Sequence, residues 1–163
     1  AFEKSHGEMI RKVFERLKEE IPFEYTPKDG DYQSDNFSSI YNYRSRPYPI
    51  MWFKMYDDWH DGMDLYMYIE VNWRLYVGFS AFDSKDEHYC EPTILSQYVP
   101  DLKVEEMVVW DYLPNSSESP LFHKPSLQNN FFELFEEAYF EQFIENCMQR
   151  IRLLVENIPT KHT

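Results

Sequence analysis

Asp64–Phe82 reads DLYMYIEVNWRLYVGFSAF, and its strand register can be worked out from the letters. Leu65, Met67, Ile69 and Val71 alternate with Tyr66, Tyr68, Glu70 and Asn72. Beyond the turn, Leu75, Val77, Phe79 and Ala81 alternate with Tyr76, Gly78 and Ser80. Strand side chains change face at every residue. A three-residue loop at Asn72-Trp73-Arg74 sets Val71 opposite Leu75, Ile69 opposite Val77, Met67 opposite Phe79 and Leu65 opposite Ala81. Every apolar side chain then shares one face. A two-residue loop would split that face, so the longer loop is expected. On the other face Gly78 falls opposite Tyr68, where a ring can cover the bare backbone.

The flanking segments extend the same logic. Ser5-His6-Gly7-Glu8 has the form of a capping box. Behind it Met9, Ile10, Val13, Phe14, Leu17 and Ile21 recur at helical spacing, which predicts a helix over about 6–20, ending before Pro22. Residues 22–49 hold four prolines and the pair Asp29-Gly30, and read as a surface excursion with a short strand at Phe37–Tyr43. Ile50–Tyr56 reads as a strand and Asp57–Met63 as a polar loop leading into the hairpin. A short helix is expected at about Thr93–Tyr98 and a fourth strand at Met107–Leu113. Residues 114–125 read as a loop. Ser126 fits an N-cap for a long final helix. Its apolar stripe slips phase near Tyr139, which predicts a bend or break. The expected fold is α+β: one domain over 1–163, an antiparallel sheet of about four strands, and helices from both ends packed on one face.

Composition narrows the function. The chain has 163 residues, enough to bury a core without staples. Aromatic residues make up 18%, more than a core needs, so some rings are expected at a contact surface. Two cysteines make no disulfide framework and point to a reduced, cytoplasmic setting. No apolar run is long enough to span a membrane, and no secretory leader is read at the N-terminus.

The net charge of −13 is unevenly spread. Residues 1–56 are neutral, residues 57–149 carry −15, and residues 150–163 carry +2. Such a charge repels phosphates, which argues against direct nucleic-acid binding and for a basic protein partner.

Catalytic signals are weak. Asp57, Asp58, His60, Asp61 and Asp64 could ligate a divalent cation by residue type. The loop is no EF-hand, however, because Trp59 and Tyr68 occupy ligand positions in the best alignment. Asp64 and Glu70 lack the lysine that a metal-dependent nuclease strand would place at residue 72. Cys90 and His88 have no third partner, and nearby carboxylates would raise the thiol pKa. Four glycines form no phosphate-binding loop. No catalytic residue, metal ligand or cofactor site is therefore assigned.

The more informative feature carries a cost. Glu133, Glu137, Glu141 and Glu145 fall at four-residue steps, where like charges destabilise a helix by about 0.2–0.5 kcal/mol per pair. Read as a docking stripe, they would steer the chain to a basic surface. Asp57, Asp58 and Asp61 would add to the field, with Trp59, Trp73, Tyr66, Tyr68 and Tyr76 as aromatic anchors. In overall character, though in no aligned motif, the chain resembles stoichiometric inhibitors of the immunity or anti-defence type. These act on a basic nuclease or nucleic-acid-binding enzyme. The alternative is a small metal-dependent hydrolase or nuclease using the carboxylates of residues 57–70.

Overall fold

The computed structural model describes residues 2–28, 31–33, 49–83, 85, 88–122 and 131–163, with side chains from residue 7 onward. The expected strand at Phe37–Tyr43, the Asp29-Gly30 turn and the Ser126 cap lie outside the described residues. Among the described residues the elements run in the order α1 (Phe2–Glu20), β1 (Glu24–Tyr25), β2 (Ile50–His60), β3 (Met63–Asn72), β4 (Arg74–Phe82), α2 (Pro92–Ser96), β5 (Lys103–Glu105), β6 (Val108–Tyr112), a 3-10 turn (Phe132–Phe135) and α3 (Glu137–Glu156). The fold is α+β, but the antiparallel sheet has six strands rather than about four, in the order β1-β2-β3-β4-β6-β5. The two extra strands, β1 and β5, are two and three residues long and lie at the edges, too short to show a period in the sequence.

The central hairpin has the expected register. Val71 pairs with Leu75, Ile69 with Val77, Met67 with Phe79 and Leu65 with Ala81. Trp73 takes the left-handed conformation at the tip, with φ 67°, while Asn72 and Arg74 still pair beside it. Gly78 lies opposite Tyr68, and a Cβ there would fall inside the Tyr68 ring. The missing side chain is what lets the ring lie down on the strand.

Other boundaries move for identifiable reasons. α1 begins at Phe2, so Ser5 lies inside the helix and does not cap it. Glu3 and Lys4 are good helix formers and carry the helix back by a turn. β2 continues through the expected polar loop to His60, with register shifts after Lys54 and Tyr56. The turn itself is only Asp61-Gly62, with φ of 48° and 76°, the pattern that favours Asp-Gly in two-residue hairpins. The break before α3 falls at Glu136, three residues ahead of the expected place. Its φ of −87° and ψ of 126° are extended, between the 3-10 turn and the helix.

The core lies on one side of the sheet. Met51, Phe53, Leu65, Met67, Ile69, Leu75, Val77 and Phe79 meet Val13, Phe14 and Leu17 of α1 and Phe140, Ile144, Cys147 and Ile151 of α3 in one cluster. Arg150 of α3 reaches Asp111 of β6 at 3.2 Å, tying the last helix to the sheet. Ser119 staples the loop after β6 to β4, donating to the Leu75 carbonyl at 2.9 Å and accepting from the Leu75 N–H at 3.1 Å. Both major helices thus lie against the inward face, and the outward face of the same strands is left to form surface.

Candidate functional site

On that outward face the strands present Trp52 from β2, Tyr66, Tyr68, Glu70 and Asn72 from β3, and Tyr76 and Phe82 from β4. Glu105 from β5 and Trp110 and Tyr112 from β6 complete it. The row divides into a closed half and an open half.

In the closed half, Tyr66 stacks on Phe82 with centroids 4.3 Å apart, and Trp52 packs on Tyr68 at 5.0 Å. Lys28 lies over Tyr66 and Phe82 at 4.7 and 4.9 Å. Its pKa is lowered, first by burial and then by Lys54. Tyr66 is 2% exposed and Tyr68 7%. Of these two expected anchors, Tyr66 is closed off within a second aromatic layer, whereas Tyr68 also borders the open half.

In the open half, Tyr68, Glu70, Asn72, Tyr76, Glu105 and Trp110 line a cleft of about 250 Å³. Gly78 pairs with Tyr68 on one side and Trp110 on the other, so a residue without a side chain separates the two ring walls. Tyr76 meets Trp110 edge-on at 5.0 Å and Tyr112 at 5.2 Å. Burial, reinforced by Glu105, pushes the Glu70 carboxyl up to about 7. No side-chain hydrogen bond or salt bridge to a described residue offsets that cost. Tyr76 is pushed up to about 12, chiefly by burial, then by Tyr112 and Glu70, against a lowering by Arg74. Tyr68 is raised by burial and then by Glu70. The Trp110 indole N–H is buried without a partner. A carboxyl whose ionisation is opposed by burial lines this cleft, and the ring of Trp110, which carries the unpaired donor, forms one of its walls.

The rim is acidic and partly apolar. Glu105 and Glu106 are exposed beside Val104 and Met107, themselves 48% and 39% exposed. Trp73, at 50% exposure, projects from the hairpin tip next to Asn72.

The carboxylates singled out from the sequence are spread over other surfaces, and several are engaged within the chain. Glu133 lies on the 3-10 turn rather than on α3, so the helical stripe begins at Glu137. Arg16 clamps Glu141 with two donors, at 2.6 and 2.7 Å, which holds that carboxyl below its usual range. Arg152 donates to Glu145 at 2.9 Å. Lys54 pairs with Asp57 at 3.2 Å and Asp64 at 3.5 Å, Lys161 with Asp58 at 3.4 Å, and His60 lies 3.6 Å from Asp61. Glu133, Glu136 and Glu137 remain exposed and free of ion pairs among the described residues.

Trp59 is fully buried and donates from Nε1 to the Pro159 carbonyl at 2.9 Å. This corrects its reading as a surface anchor: the bulge in β2 turns it inward against the C-terminal segment. That segment is fixed further by the His162 N–H, which donates to the Trp59 carbonyl at 2.8 Å, and by the Tyr98 hydroxyl, 2.6 Å from His162 Nδ1. Cys90 and Cys147 are free and buried, and burial raises both thiols. Among the described residues no three His, Cys, Asp or Glu side chains converge as a metal site would require, and no helix is long and apolar enough to cross a membrane.

Sequence reasoning left Glu105, Trp110 and Asn72 out of the candidate set and weighed Glu70 only among the carboxylates of the alternative, metal-dependent reading. Period-two alternation in Val108–Tyr112 could have placed Trp110 on the outward face, but only with the knowledge that β6 pairs with β4. No protein-family model, characterised protein or solved structure matches the chain.

Proposed function

We propose that the protein is an acidic protein-binding module that docks on a basic partner through the outward face of its sheet. It would act as a stoichiometric inhibitor of the immunity or anti-defence type, with a nuclease or other nucleic-acid-binding protein as target. The observation that carries this reading is the open cleft and its rim. Aromatic walls, the Glu70 carboxyl inside, and Glu105, Glu106 and Met107 at the edge have the anatomy of an interface centre with a charged border. A chain of net charge −13 would be drawn to a basic surface from a distance, and the rim carboxylates would orient it on arrival. Glu133, Glu136 and Glu137 add charge that no ion pair among the described residues offsets, whereas Glu141 and Glu145 are held by arginines of the same chain and contribute less.

The test begins with affinity capture from the source cell at low and then high salt, followed by association kinetics with the purified partner. The reading requires a basic partner whose association rate falls with ionic strength. It also requires that Glu105→Lys with Glu106→Lys slow association at least several-fold, with Glu141→Gln close to wild type. A partner indifferent to salt and to the rim substitutions would overturn it. The metal-dependent hydrolase reading gains no support from the geometry, because Asp57, Asp58 and Asp64 pair with lysines and, among the described residues, no three ligand-type side chains converge.

A further inference from the structure

The rings of the outward face already hold one cation. Lys103 lies over Trp110 and Tyr112, with Nζ 5.2 and 5.0 Å from the two centroids, and pairs with Asp111 at 3.3 Å. The cleft on the other side of Trp110 has the same kind of wall and more negative charge. Among the described residues no cation pairs with Glu70 or Glu105, and Arg74, close in the register, donates instead to the Ser119 carbonyl at 2.7 Å.

We infer that the cleft between Tyr68, Tyr76 and Trp110 is a receptor for the guanidinium of one arginine side chain, which Glu70 and Glu105 bind from two different strands. This rests on the docking reading above and specifies its central contact. The volume, about 250 Å³, lies below the range of about 300–1,000 Å³ usual for whole small-molecule ligands and suits a single side chain. Electron-rich ring faces attract an organic cation and let a flat guanidinium stack. Its five N–H donors can serve two carboxylates at once, which a lysine ammonium does less well. A neutral sugar could stack on the rings, but it would leave Glu70 and Glu105 facing each other with no counter-charge. A hard metal ion would want six or more oxygens and would make no use of three rings.

A cation beside Glu70 favours its ionised form. Binding therefore releases a proton below about pH 7, and affinity rises with pH. With Glu70 titrating near 7 in the free protein, the ionised fraction grows about tenfold from pH 6 to pH 8. The groups that bear on that titration are Glu105 from β5, Tyr76 and Arg74 from β4, and Tyr68 on the same strand.

The experiment titrates N-acetyl-arginine methylamide into the whole chain and follows the indole N–H resonance of Trp110, assigned by its loss in Trp110→Phe. The expected result is a saturable shift in the millimolar range. It should weaken at least fivefold in Glu70→Gln and in Glu105→Gln, and tighten about tenfold from pH 6 to 8. The neutral isostere N-acetyl-citrulline methylamide should produce no saturable shift. The proposal is overturned by a shift that does not saturate, by equal binding of the citrulline compound, or by unchanged affinity in both carboxamide variants. A folded spectrum of Glu70→Gln keeps that comparison valid. The two readings separate cleanly. Arginine binding without any basic partner would leave the receptor standing and remove the docking module. A basic partner that binds Glu70→Gln as tightly as wild type would do the reverse.

Discussion

Glu70→Gln should make this protein more stable at pH 8 and no more stable at pH 4. In the folded chain the carboxyl titrates near 7, against an ordinary value of 4.5, because β3 buries it and Glu105 faces it. The folded state therefore holds a proton that the unfolded chain has already lost between those two values. Stability from this group is fully present below about 4.5 and is lost as pH rises through about 7. A displacement of that size corresponds to about 3 kcal/mol at 1.36 kcal/mol per unit. Water at the cleft mouth and the residual cost of burying an amide reduce it, so the gain at pH 8 should be about 2 kcal/mol. For a domain of this length that is a rise in midpoint of about 4–8 °C.

Urea unfolding of both proteins at pH 4, 5.5, 7 and 8 reads the difference directly. Every other titrating group is common to both chains and largely cancels. The required signature is a stability difference near zero at pH 4 that grows through pH 7 and then levels off. Glu105→Gln should shrink it, since one of its causes is removed. A difference that stays flat across the range would refute the premise that a costly carboxyl occupies the cleft, and with it the pH dependence argued for arginine binding.

Three further substitutions probe the frame that holds the cleft. Gly78→Ala places a methyl where the Tyr68 ring lies, and should cost about 1–3 kcal/mol by chemical denaturation. In a Tyr68→Ala background the same change should cost much less, and additivity in that cycle would contradict the packing described. Gly62→Ala meets nothing within 4 Å, so its cost of about 1–2 kcal/mol comes from the backbone alone, and Gly62→Asn should recover part of it. Trp59→Ala should cost about 3–5 kcal/mol in thermal or urea unfolding, since it empties a fully buried site and unpairs the Pro159 carbonyl; a loss below 1 kcal/mol would mean that the C-terminal segment does not dock there.

The parts of this fold that could be read from the letters are those fixed by neighbours in sequence. In Leu65–Ala81 the period of two and a three-residue connection leave one register that keeps the apolar residues together, and Gly78 opposite Tyr68 follows from it. The same reasoning missed the end of β2, because the bulges after Lys54 and Tyr56 break the alternation and disguise Trp59 as a loop residue. Asp61-Gly62 carried a hairpin signal, yet four aspartates within Asp57–Asp64 gave the segment the composition of a loop. The glutamate steps at 137, 141 and 145 were legible as helix geometry, but Arg16, 125 residues before Glu141, was not legible as its partner. The cleft was least legible of all. Its walls come from β3, β4, β5 and β6, and residues as far apart as Tyr68 and Trp110 become neighbours only when β6 docks beside β4.

That origin bears on what the cleft is for. Here the outward face is closed at one end by stacked rings and left costly at the other, with an acid that resists ionisation and an indole N–H without an acceptor. Neither cost is needed for the sheet. A glutamine at residue 70 and a phenylalanine at residue 110 would preserve the strand pairing and the ring contacts while removing both. Costs of this kind are what a binding site carries before its ligand arrives. An arginine would supply a counter-charge for the two carboxylates, so one ligand answers the larger cost. Glu70→Gln with Trp110→Phe is therefore the decisive pair. If the double variant is more stable than wild type and still engages a basic partner unchanged, the cleft is incidental. If stability rises while binding is lost, the cost is functional.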